Sequence, residues 1–269
     1  MSLKMQTEQS ITINKKDVCY IILKNSAFCL YDDVPTFQMD VCGKKIIDWV
    51  KNACSGSEVI IVEYSIKDNI FDIVKKTAKD KEVVCVLYAD SPLLTQYTLN
   101  DVWNLYASSG ENICRLPRGF ILKPKALDKP INLLEVKKIA DSFNKEFFAV
   151  NTLYAYQEVQ KIMRQRIVAY FMENGVVFRD CDTVYIDADC EIESGVIIFP
   201  NNQIYDASII KTGAVLYPNN TIINSTIENG CILKGAYIQN SVINKNKTID
   251  AFEKIIDVRG WYESCNWLR

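Results

Sequence analysis

The second half of the chain places an aliphatic residue at every sixth position, and this repeat constrains the fold more than any other feature. The positions are Ile186, Ile192, Ile198, Ile204, Ile210, Leu216 and Ile222. FPNNQI and YPNNTI add a longer period, because they place Pro200 and Pro218 three hexads apart. Such a repeat is typical of a three-sided solenoid, in which like side chains stack in successive coils. We therefore expect the anchors to point inward and the Pro-Asn-Asn segments to form turns at one corner.

The repeat continues beyond Ile222 with a slip in register, since the next two anchors each follow after five residues. The remaining anchors are predicted at Ile227, Ile232, Ile238, Ile243 and Ile249. They give about four coils in total. A meander of ordinary β-strands is the alternative, although it does not require so regular a repeat. The tail after residue 250 does not follow the hexads, and its aromatic residues are expected to cover the open end. These residues are Trp261, Tyr262 and Trp267.

The first half of the chain has a different pattern, in which apolar strands alternate with amphipathic helices. Buried parallel strands are predicted for CYIIL (19–23), EVIIVEY (58–64) and EVVCVLY (82–88). Helices are predicted for KKIIDWVKNAC (44–54) and for SIKDNIFDIVKKTAKD (65–80), with Ile66, Ile70, Ile73 and Val74 on one face of the second. This alternation is typical of a doubly wound α/β domain. Ligands of such domains bind beyond the carboxyl ends of the strands.

Composition excludes several classes of site and partner. The chain has no histidine, which rules out histidine zinc sites and Ser-His or Cys-His nucleophile pairs. Its net charge of −2 gives no electrostatic support for binding nucleic acid. No apolar run could span a membrane and the N-terminus lacks a signal-peptide core, so a cytoplasmic location is expected. Most of the ten cysteines lie in apolar segments and are expected to be buried free thiols.

Three stretches carry a resemblance to a known family. VLYADSPLL (86–94) is similar to a family motif L-Y-G-D-x-P-L, and CGKKIIDWV (42–50) is similar to A-G-K-P-M-I-x-H-V. AVNTLYAYQEVQKIMRQRI and the following ENGVVFRDCDTVYIDADCEI resemble the V-N-N-R segment, linker helix and first coil of the same family. The chain thus resembles the bifunctional bacterial enzyme that makes UDP-N-acetylglucosamine, a uridylyltransferase joined to a left-handed β-helix acetyltransferase.

The resemblance implies a fold, an assembly and a metal site. The implied fold is a shortened, Rossmann-like nucleotidyltransferase α/β domain joined by a helix to a left-handed parallel β-helix of hexapeptide repeats. The implied boundaries are 1–152 for the α/β domain, 153–175 for the linker helix, 176–250 for the β-helix and 251–269 for the cap. The family binds magnesium through residues that match Asp90 and Asn151, and it forms homotrimers. From the residues alone, Asp90 could equally cap a helix or bond nearby backbone, and Asn151 could be a turn residue.

Departures from the family pattern argue against normal turnover. The family's glycine-rich L-x-A-G-x-G-T-R-M loop and its Pro-Lys pair bind and neutralise the phosphates. Here ILKNSAFCLYDDVPTF (22–37) contains no glycine and no arginine, and Thr36 stands at the lysine position. Lys24 is a candidate substitute for substrate binding, although it could also be a solvated loop lysine. Loss of one such charged group typically costs roughly two to five decades in rate.

Three functions are compatible with the sequence. The first is a relative of UDP-N-acetylglucosamine pyrophosphorylase that binds a nucleotide or nucleotide sugar, with weak or lost transfer activity. The second is an active sugar-1-phosphate nucleotidyltransferase with a rearranged phosphate loop. The third is a structural or regulatory trimeric β-helix protein. Acetyl transfer is not expected, because the family uses a catalytic histidine that this chain lacks.

Overall fold

The computed structural model describes residues 18–257, which divide into two compact units. Within this range the first unit comprises residues 18–39 and 45–156, and the second comprises 40–44 and 157–257. No helix between residues 18 and 257 is long and apolar enough to cross a membrane. The nine cysteines of this range are free thiols, and six of them are buried.

The bounds of the four α-helices between residues 18 and 257, and of the strands that precede residue 150, are as follows. The strands are β1 (Val18–Lys24), β2 (Asp40–Val41), β3 (Lys44–Lys45), β4 (Glu58–Glu63), β5 (Val83–Tyr88), β6 (Ile113–Leu116), β7 (Gly119–Leu122) and β8 (Lys137–Lys138). The helices are α1 (Ile46–Ala53), α2 (Ile70–Thr77), α3 (Gln96–Ser109) and α4 (Leu153–Glu173). Short 3-10 turns lie at Thr36–Gln38, Pro124–Asp128 and Asp141–Phe143.

The first unit is built on a mixed six-stranded sheet of order β4-β1-β5-β7-β6-β8. Strand β1 pairs in parallel with both β4 and β5, which confirms the three predicted parallel strands. Strand β7 runs antiparallel to β5, so the sheet is not purely parallel. The prediction that all three parallel strands are buried is wrong for β4, where Ile61 is 40% exposed. Strand β4 lies at the edge of the sheet, where a side chain has neighbours on one flank only.

Both faces of this sheet are covered. On β1, Tyr20 and Ile22 pack with α1 and α3, whereas the alternate residues Ile21 and Leu23 pack with Val74 of α2. Because side chains alternate along a strand, β1 contributes residues to two separate apolar clusters, one on each face of the sheet. The result is the layered α/β arrangement that the sequence pattern predicts.

Helix α2 is shorter than predicted, and Ile66 does not belong to its buried face. Asn69 caps the helix by accepting a hydrogen bond from the Phe71 N–H at 2.9 Å, so α2 begins at Ile70. Before it, the Asp68 carboxylate accepts from the Ser65 N–H at 2.7 Å and holds a turn. Ile66 lies in this turn and is 86% exposed. The apolar period of the sequence extends back to Ile66, but the Asn69 cap starts the helix only at Ile70.

The second unit contains three parallel sheets of very short strands, an arrangement consistent with a β-helix. The strands are β9 (Val177–Phe178), β10 (Tyr185–Ile186), β11 (Glu191–Ile192), β12 (Ile197–Ile198), β13 (Gln203–Tyr205), β14 (Ile209–Ile210), β15 (Val215–Leu216), β16 (Thr221–Ile223), β17 (Thr226–Ile227), β18 (Ile232–Leu233), β19 (Tyr237–Gln239), β20 (Val242–Ile243), β21 (Thr248–Ile249) and β22 (Lys254–Ile256). The sheet orders are β10-β13-β16-β19-β22, β11-β14-β17-β20 and β21-β18-β15-β12-β9.

The predicted anchors form one continuous apolar column, with one exception. From Ile186 to Ile249 the anchors are buried, and most are completely inaccessible to solvent. The exception is Ile232, which is only partly buried, while its neighbour Leu233 is fully buried and pairs with Leu216. The strand pairings explain the slip, because the offset between paired residues falls from 18 at Ile186–Ile204 to 16 at Ile222–Ile238.

The Pro-Asn-Asn segments form a corner, as predicted. Asn201 and Asn219 adopt positive φ angles of 61° and 68°, a conformation that asparagine tolerates well. The next residues, Asn202 and Asn220, are fully buried, and the Asn220 amide donates to the Asn202 side-chain oxygen at 2.9 Å. The two coils are thus joined at this corner by side-chain as well as backbone hydrogen bonds.

Both ends of the stack have a defined structure within the described range. Helix α4 is followed by Gly175 at φ 86°, and the Val176 N–H donates to the Phe171 carbonyl at 3.0 Å, a typical glycine-capped helix end. At the other end, Lys254–Ile256 pairs with β19, so the sheets extend beyond residue 250. The predicted cap residues Trp261, Tyr262 and Trp267 lie outside the described residues.

Candidate functional site

A pocket opens at the carboxyl ends of β1, β4 and β5, where a doubly wound sheet is expected to bind ligands. Its volume is about 210 Å³. Its walls are mainly aromatic and aliphatic, with five polar or charged side chains among them. The lining residues are Leu23, Asn25, Phe28, Thr36, Phe37, Tyr64, Ile66, Tyr88, Ala89, Asp90, Arg118 and Asn151.

The pocket brings together Asp90 and Asn151, which are 61 positions apart in the chain. Asp90 lies two residues beyond the end of β5. The Val150 N–H donates to the Asp90 backbone carbonyl at 2.8 Å, and this hydrogen bond brings the next residue, Asn151, to the same pocket. The juxtaposition expected from the sequence is therefore present, whereas the role of the two residues as metal ligands stays a prediction.

Asp90 is paired with Arg118, a residue that the sequence analysis did not single out. The Arg118 Nε donates to Asp90 Oδ1 at 3.0 Å and Nη2 donates to Oδ2 at 2.5 Å, so the pair is bidentate. The guanidinium also lies over the Tyr88 ring, 4.4 Å from its centroid. Both charged side chains are largely shielded from solvent, with 30% of Arg118 and 18% of Asp90 exposed.

The hairpin between β6 and β7 determines where Arg118 lies. Strand β7 pairs antiparallel with β5, with Phe120 opposite Val86, so extending this register by two residues puts Arg118 beside Tyr88. Gly119 has φ 123°, and a Cβ atom there would lie 2.1 Å from the Val86 carbonyl oxygen. Glycine thus allows the hairpin to approach β5 closely enough for Arg118 to reach Asp90. The Pro-Arg-Gly sequence at 117–119 was the available signal for this turn.

Lys24, the last residue of β1, forms a salt bridge with Glu63. Its Nζ lies 3.3 Å from Glu63 Oε2 and 5.3 Å from the centroid of the Phe37 ring. Glu63 also accepts from the Ser26 N–H at 2.6 Å and from the Ser26 hydroxyl at 2.8 Å. Burial acts to raise the pKa of Glu63, but these hydrogen bonds and Lys24 outweigh it, and the net pKa is lowered. Lys24 is not among the described residues that line the pocket, and its role in binding stays a prediction.

Thr36, at the position of the family lysine, is 2% exposed and donates through its hydroxyl to the Phe28 carbonyl at 3.1 Å. It therefore closes the loop between β1 and the Thr36–Gln38 turn. The aromatic wall of the pocket includes Tyr64 and Tyr88, whose ring centroids are 5.6 Å apart in an edge arrangement. Burial, with the nearby Asp90 charge, raises the pKa of both tyrosines, so both remain neutral hydroxyl groups at physiological pH.

Comparison with known proteins relates the chain to one family. The bifunctional protein GlmU of Clostridium botulinum strain 657 is 32% identical over 160 residues, which cover 60% of this chain and 30% of that protein. GlmU of Thermoanaerobacter pseudethanolicus is 23% identical over an alignment of 303 positions, which covers 80% of this chain and 66% of that protein. The chain is a distant relative of the GlmU proteins. The family resemblance read from the sequence is thereby confirmed.

The relationship to GlmU is partial. The alignments cover 30% and 66% of the length of these two GlmU proteins. No family model matches the chain. Among solved structures, Rv0371c of Mycobacterium tuberculosis H37Rv is 10% identical with a TM-score of 0.37, over 55% of this chain and 99% of that one.

The polar groups of the pocket do not, as arranged, fit a magnesium ion. Magnesium prefers near-octahedral coordination by oxygen atoms, usually with one or two carboxylates. Both oxygens of Asp90 accept from the positively charged Arg118, and Asn151 contributes only a neutral amide. Between residues 18 and 257, no group of three or more Asp, Glu, His or Cys residues could hold a metal. The prediction of a magnesium site at Asp90 and Asn151 therefore requires Arg118 to leave Asp90.

Proposed function

We propose that this GlmU relative binds a nucleotide sugar in the pocket around Asp90, with slow or lost nucleotidyl transfer. The observation that carries the proposal is the location of Asp90, Arg118 and Asn151 in one aromatic-walled pocket beyond parallel strands. Ligand pockets typically combine apolar walls with a few convergent polar groups. Aromatic rings such as Tyr88 suit a base or a sugar face, and the amides of Asn25 and Asn151 suit hydroxyl and carbonyl groups.

Slow transfer is proposed because the groups that would stabilise a phosphoryl-transfer transition state are altered. Thr36 replaces a lysine of the family pattern and uses its hydroxyl to bond the Phe28 backbone. Lys24 pairs with Glu63, so part of its charge is already balanced. An active nucleotidyltransferase is the second candidate, and the presence of Asp90 and Asn151 in the same pocket favours it.

The architecture and assembly that accompany this function are also proposals. We propose a nucleotidyltransferase-like domain over 1–152, a linker helix over 153–175, a left-handed β-helix over 176–250 and a cap over 251–269. A homotrimer formed through β-helix sides is supported by outward side chains that are more apolar than an ordinary surface requires, such as Ile209 and Ile223. The protein is proposed to act in the cytoplasm, in cell-envelope sugar metabolism. Light scattering should give a trimer mass, and a monomer at micromolar concentration would contradict the assembly.

A thermal-shift screen tests the binding proposal. UTP, UDP-N-acetylglucosamine and other nucleotide sugars are each added to the full chain, and a ligand at 100 times its Kd should stabilise the protein by about 2.7 kcal/mol. The stabilisation should be weakened by Asn151→Ala, at an exposed position in the pocket, and by Ile66→Ala. Asn100→Ala and Leu134→Ala are matched controls at exposed positions outside the pocket and should have no effect.

The outcomes of the screen separate the candidates. Stabilisation by a nucleotide sugar that both pocket variants reduce supports the proposed function. No stabilisation by any nucleotide or nucleotide sugar would contradict it and would favour a structural role for the chain. Stabilisation that the pocket variants leave unchanged would contradict the assignment of this pocket.

A further inference from the structure

We propose that Arg118 is the built-in cation of the pocket and occupies at Asp90 the place that a divalent metal would take. The identity of the ligand rests on the proposed function, whereas the competition between Arg118 and a metal rests on the geometry of the pair. In this view the pocket recognises an anionic group of its ligand without a metal ion.

The geometry leaves little of the Asp90 carboxylate for a metal. Each oxygen accepts a charge-assisted hydrogen bond from Arg118, at 3.0 and 2.5 Å, and the Ser91 hydroxyl lies 3.5 Å from Oδ1. Bidentate arginine–carboxylate pairs are among the strongest and most directional hydrogen-bonded pairs in proteins. Tyr88 covers one face of the guanidinium at 4.4 Å and further restricts its position.

The charges around the pocket also disfavour a divalent cation. Asp90 is the only carboxylate among the described residues that line the pocket, and its charge is neutralised by Arg118. Glu63, at the rim, is paired with Lys24. A divalent ion at Asp90 would therefore lie beside a guanidinium, and at such short range this repulsion is large because both groups are partly shielded from water.

The same arrangement leaves Arg118 able to bind an anion. A guanidinium carries five N–H donors, and the two hydrogen bonds to Asp90 use one on Nε and one on Nη2. Arg118 also lines the pocket. Its remaining donors suit the oxygens of a phosphate, for which the planar guanidinium is well matched. Asp90 then acts as a positioning residue that fixes the orientation of Arg118.

Manganese binding tests the proposal without any nucleotide. Mn²⁺ is titrated into the full-length protein and the free aquo ion is followed by electron paramagnetic resonance. Wild type should show no Mn²⁺ site that depends on Asp90. Arg118→Gln should gain one Mn²⁺ site, with an affinity at least about tenfold above any residual Mn²⁺ binding by wild type. Arg118→Gln/Asp90→Asn should lose the gained site, and Arg115→Gln, an exposed arginine on the same hairpin, should behave like wild type.

The result that would overturn the proposal is an Mn²⁺ site in wild type that Asp90→Asn removes, or the lack of any gain in a folded Arg118→Gln. Circular dichroism establishes whether the variants fold. If Arg118→Gln does not fold, the comparison of wild type with Asp90→Asn decides, because an Asp90-dependent site in wild type contradicts the proposal and its absence supports it.

A second arm measures nucleotide-sugar binding by calorimetry in Mg²⁺ and in EDTA. Equal affinity of UDP-N-acetylglucosamine in both buffers, reduced in Arg118→Gln, supports recognition by Arg118. Binding that requires Mg²⁺ would overturn it. A lack of binding in both buffers would instead overturn the proposed function, and the Mn²⁺ result would still decide whether Arg118 excludes a metal.

Discussion

Replacing the buried Asn220 should destabilise the second unit much more than replacing its neighbour in the stack, Asn202. The Asn220 side-chain oxygen accepts from the backbone N–H groups of Gly235 and Ala236, both at 2.9 Å. The Asn202 oxygen accepts from the Asn220 amide instead, and its own amide donates to backbone carbonyls such as that of Phe199 at 2.7 Å. Only Asn220→Ala therefore leaves backbone donors without their partner.

The magnitude follows from the two donors. A buried donor left without a partner costs about 1–3 kcal/mol, whereas an ordinary hydrogen bond contributes about 1 kcal/mol net. The Ala236 N–H is buried and is expected to incur the full cost, while the Gly235 N–H is only partly buried and incurs less. Asn220→Ala should therefore cost about 2–4 kcal/mol from these two groups, and Asn202→Ala about 1–2 kcal/mol. Both variants remove the same volume, so the cavity contribution largely cancels in the comparison.

The assay is urea unfolding followed by far-UV circular dichroism, together with amide hydrogen exchange of the peptide that contains Gly235 and Ala236. We expect a lower unfolding midpoint for Asn220→Ala than for Asn202→Ala and faster exchange of that peptide in Asn220→Ala alone. Equal destabilisation by the two substitutions, or a larger effect of Asn202→Ala, would refute the reasoning.

Three further predictions concern the core, the thiols and turnover. Leu233→Asp should unfold the second unit, because it buries an unpaired charge, whereas Ile232→Asp should be tolerated. Far-UV circular dichroism distinguishes the two variants, and an equal loss of secondary structure in both would contradict the corrected register. Burial raises the pKa of Cys54 to about 12, so its alkylation by iodoacetamide should be slow at neutral pH and should accelerate as the thiolate fraction rises with pH. The partly exposed Cys29 should be alkylated before Cys54, as followed by mass spectrometry, and the reverse order would contradict the described burial. The rate of pyrophosphate release from UTP and N-acetylglucosamine-1-phosphate should be far below an ordinary enzyme turnover of about 10 s⁻¹. A rate of about 10 s⁻¹ in wild type, abolished by Asp90→Ala, would show instead that the chain is an active enzyme.

The repeat made the second unit largely predictable, because each strand contributes one inward residue and stacking keeps that residue at a fixed interval. The error at Ile232 has a local reason. Ile232 and Leu233 are adjacent and both aliphatic, so composition could not tell which one points inward. Leu233 points inward because it pairs with Leu216 in the shorter coil, at an offset that the hexad count does not give.

The pocket was predictable only in part. Asp90 could be predicted because it follows an apolar strand directly, and Asn151 because a family motif marks it. Arg118 could not, since its position depends on the antiparallel pairing of β7 with β5, which a local pattern does not encode. Ile66 was misplaced because an apolar period continued across a turn that side-chain hydrogen bonds had already fixed.

The most direct test of the proposed function is hydrogen–deuterium exchange of the full chain with and without UDP-N-acetylglucosamine. The ligand should slow exchange in the peptides that contain the pocket residues, namely those around 23–28, 64–66, 88–90 and 118. Exchange in the parallel sheets of the second unit should stay unchanged. Protection confined to the second unit, or no protection at a large molar excess of ligand, would contradict the assignment of a nucleotide-sugar site to this pocket.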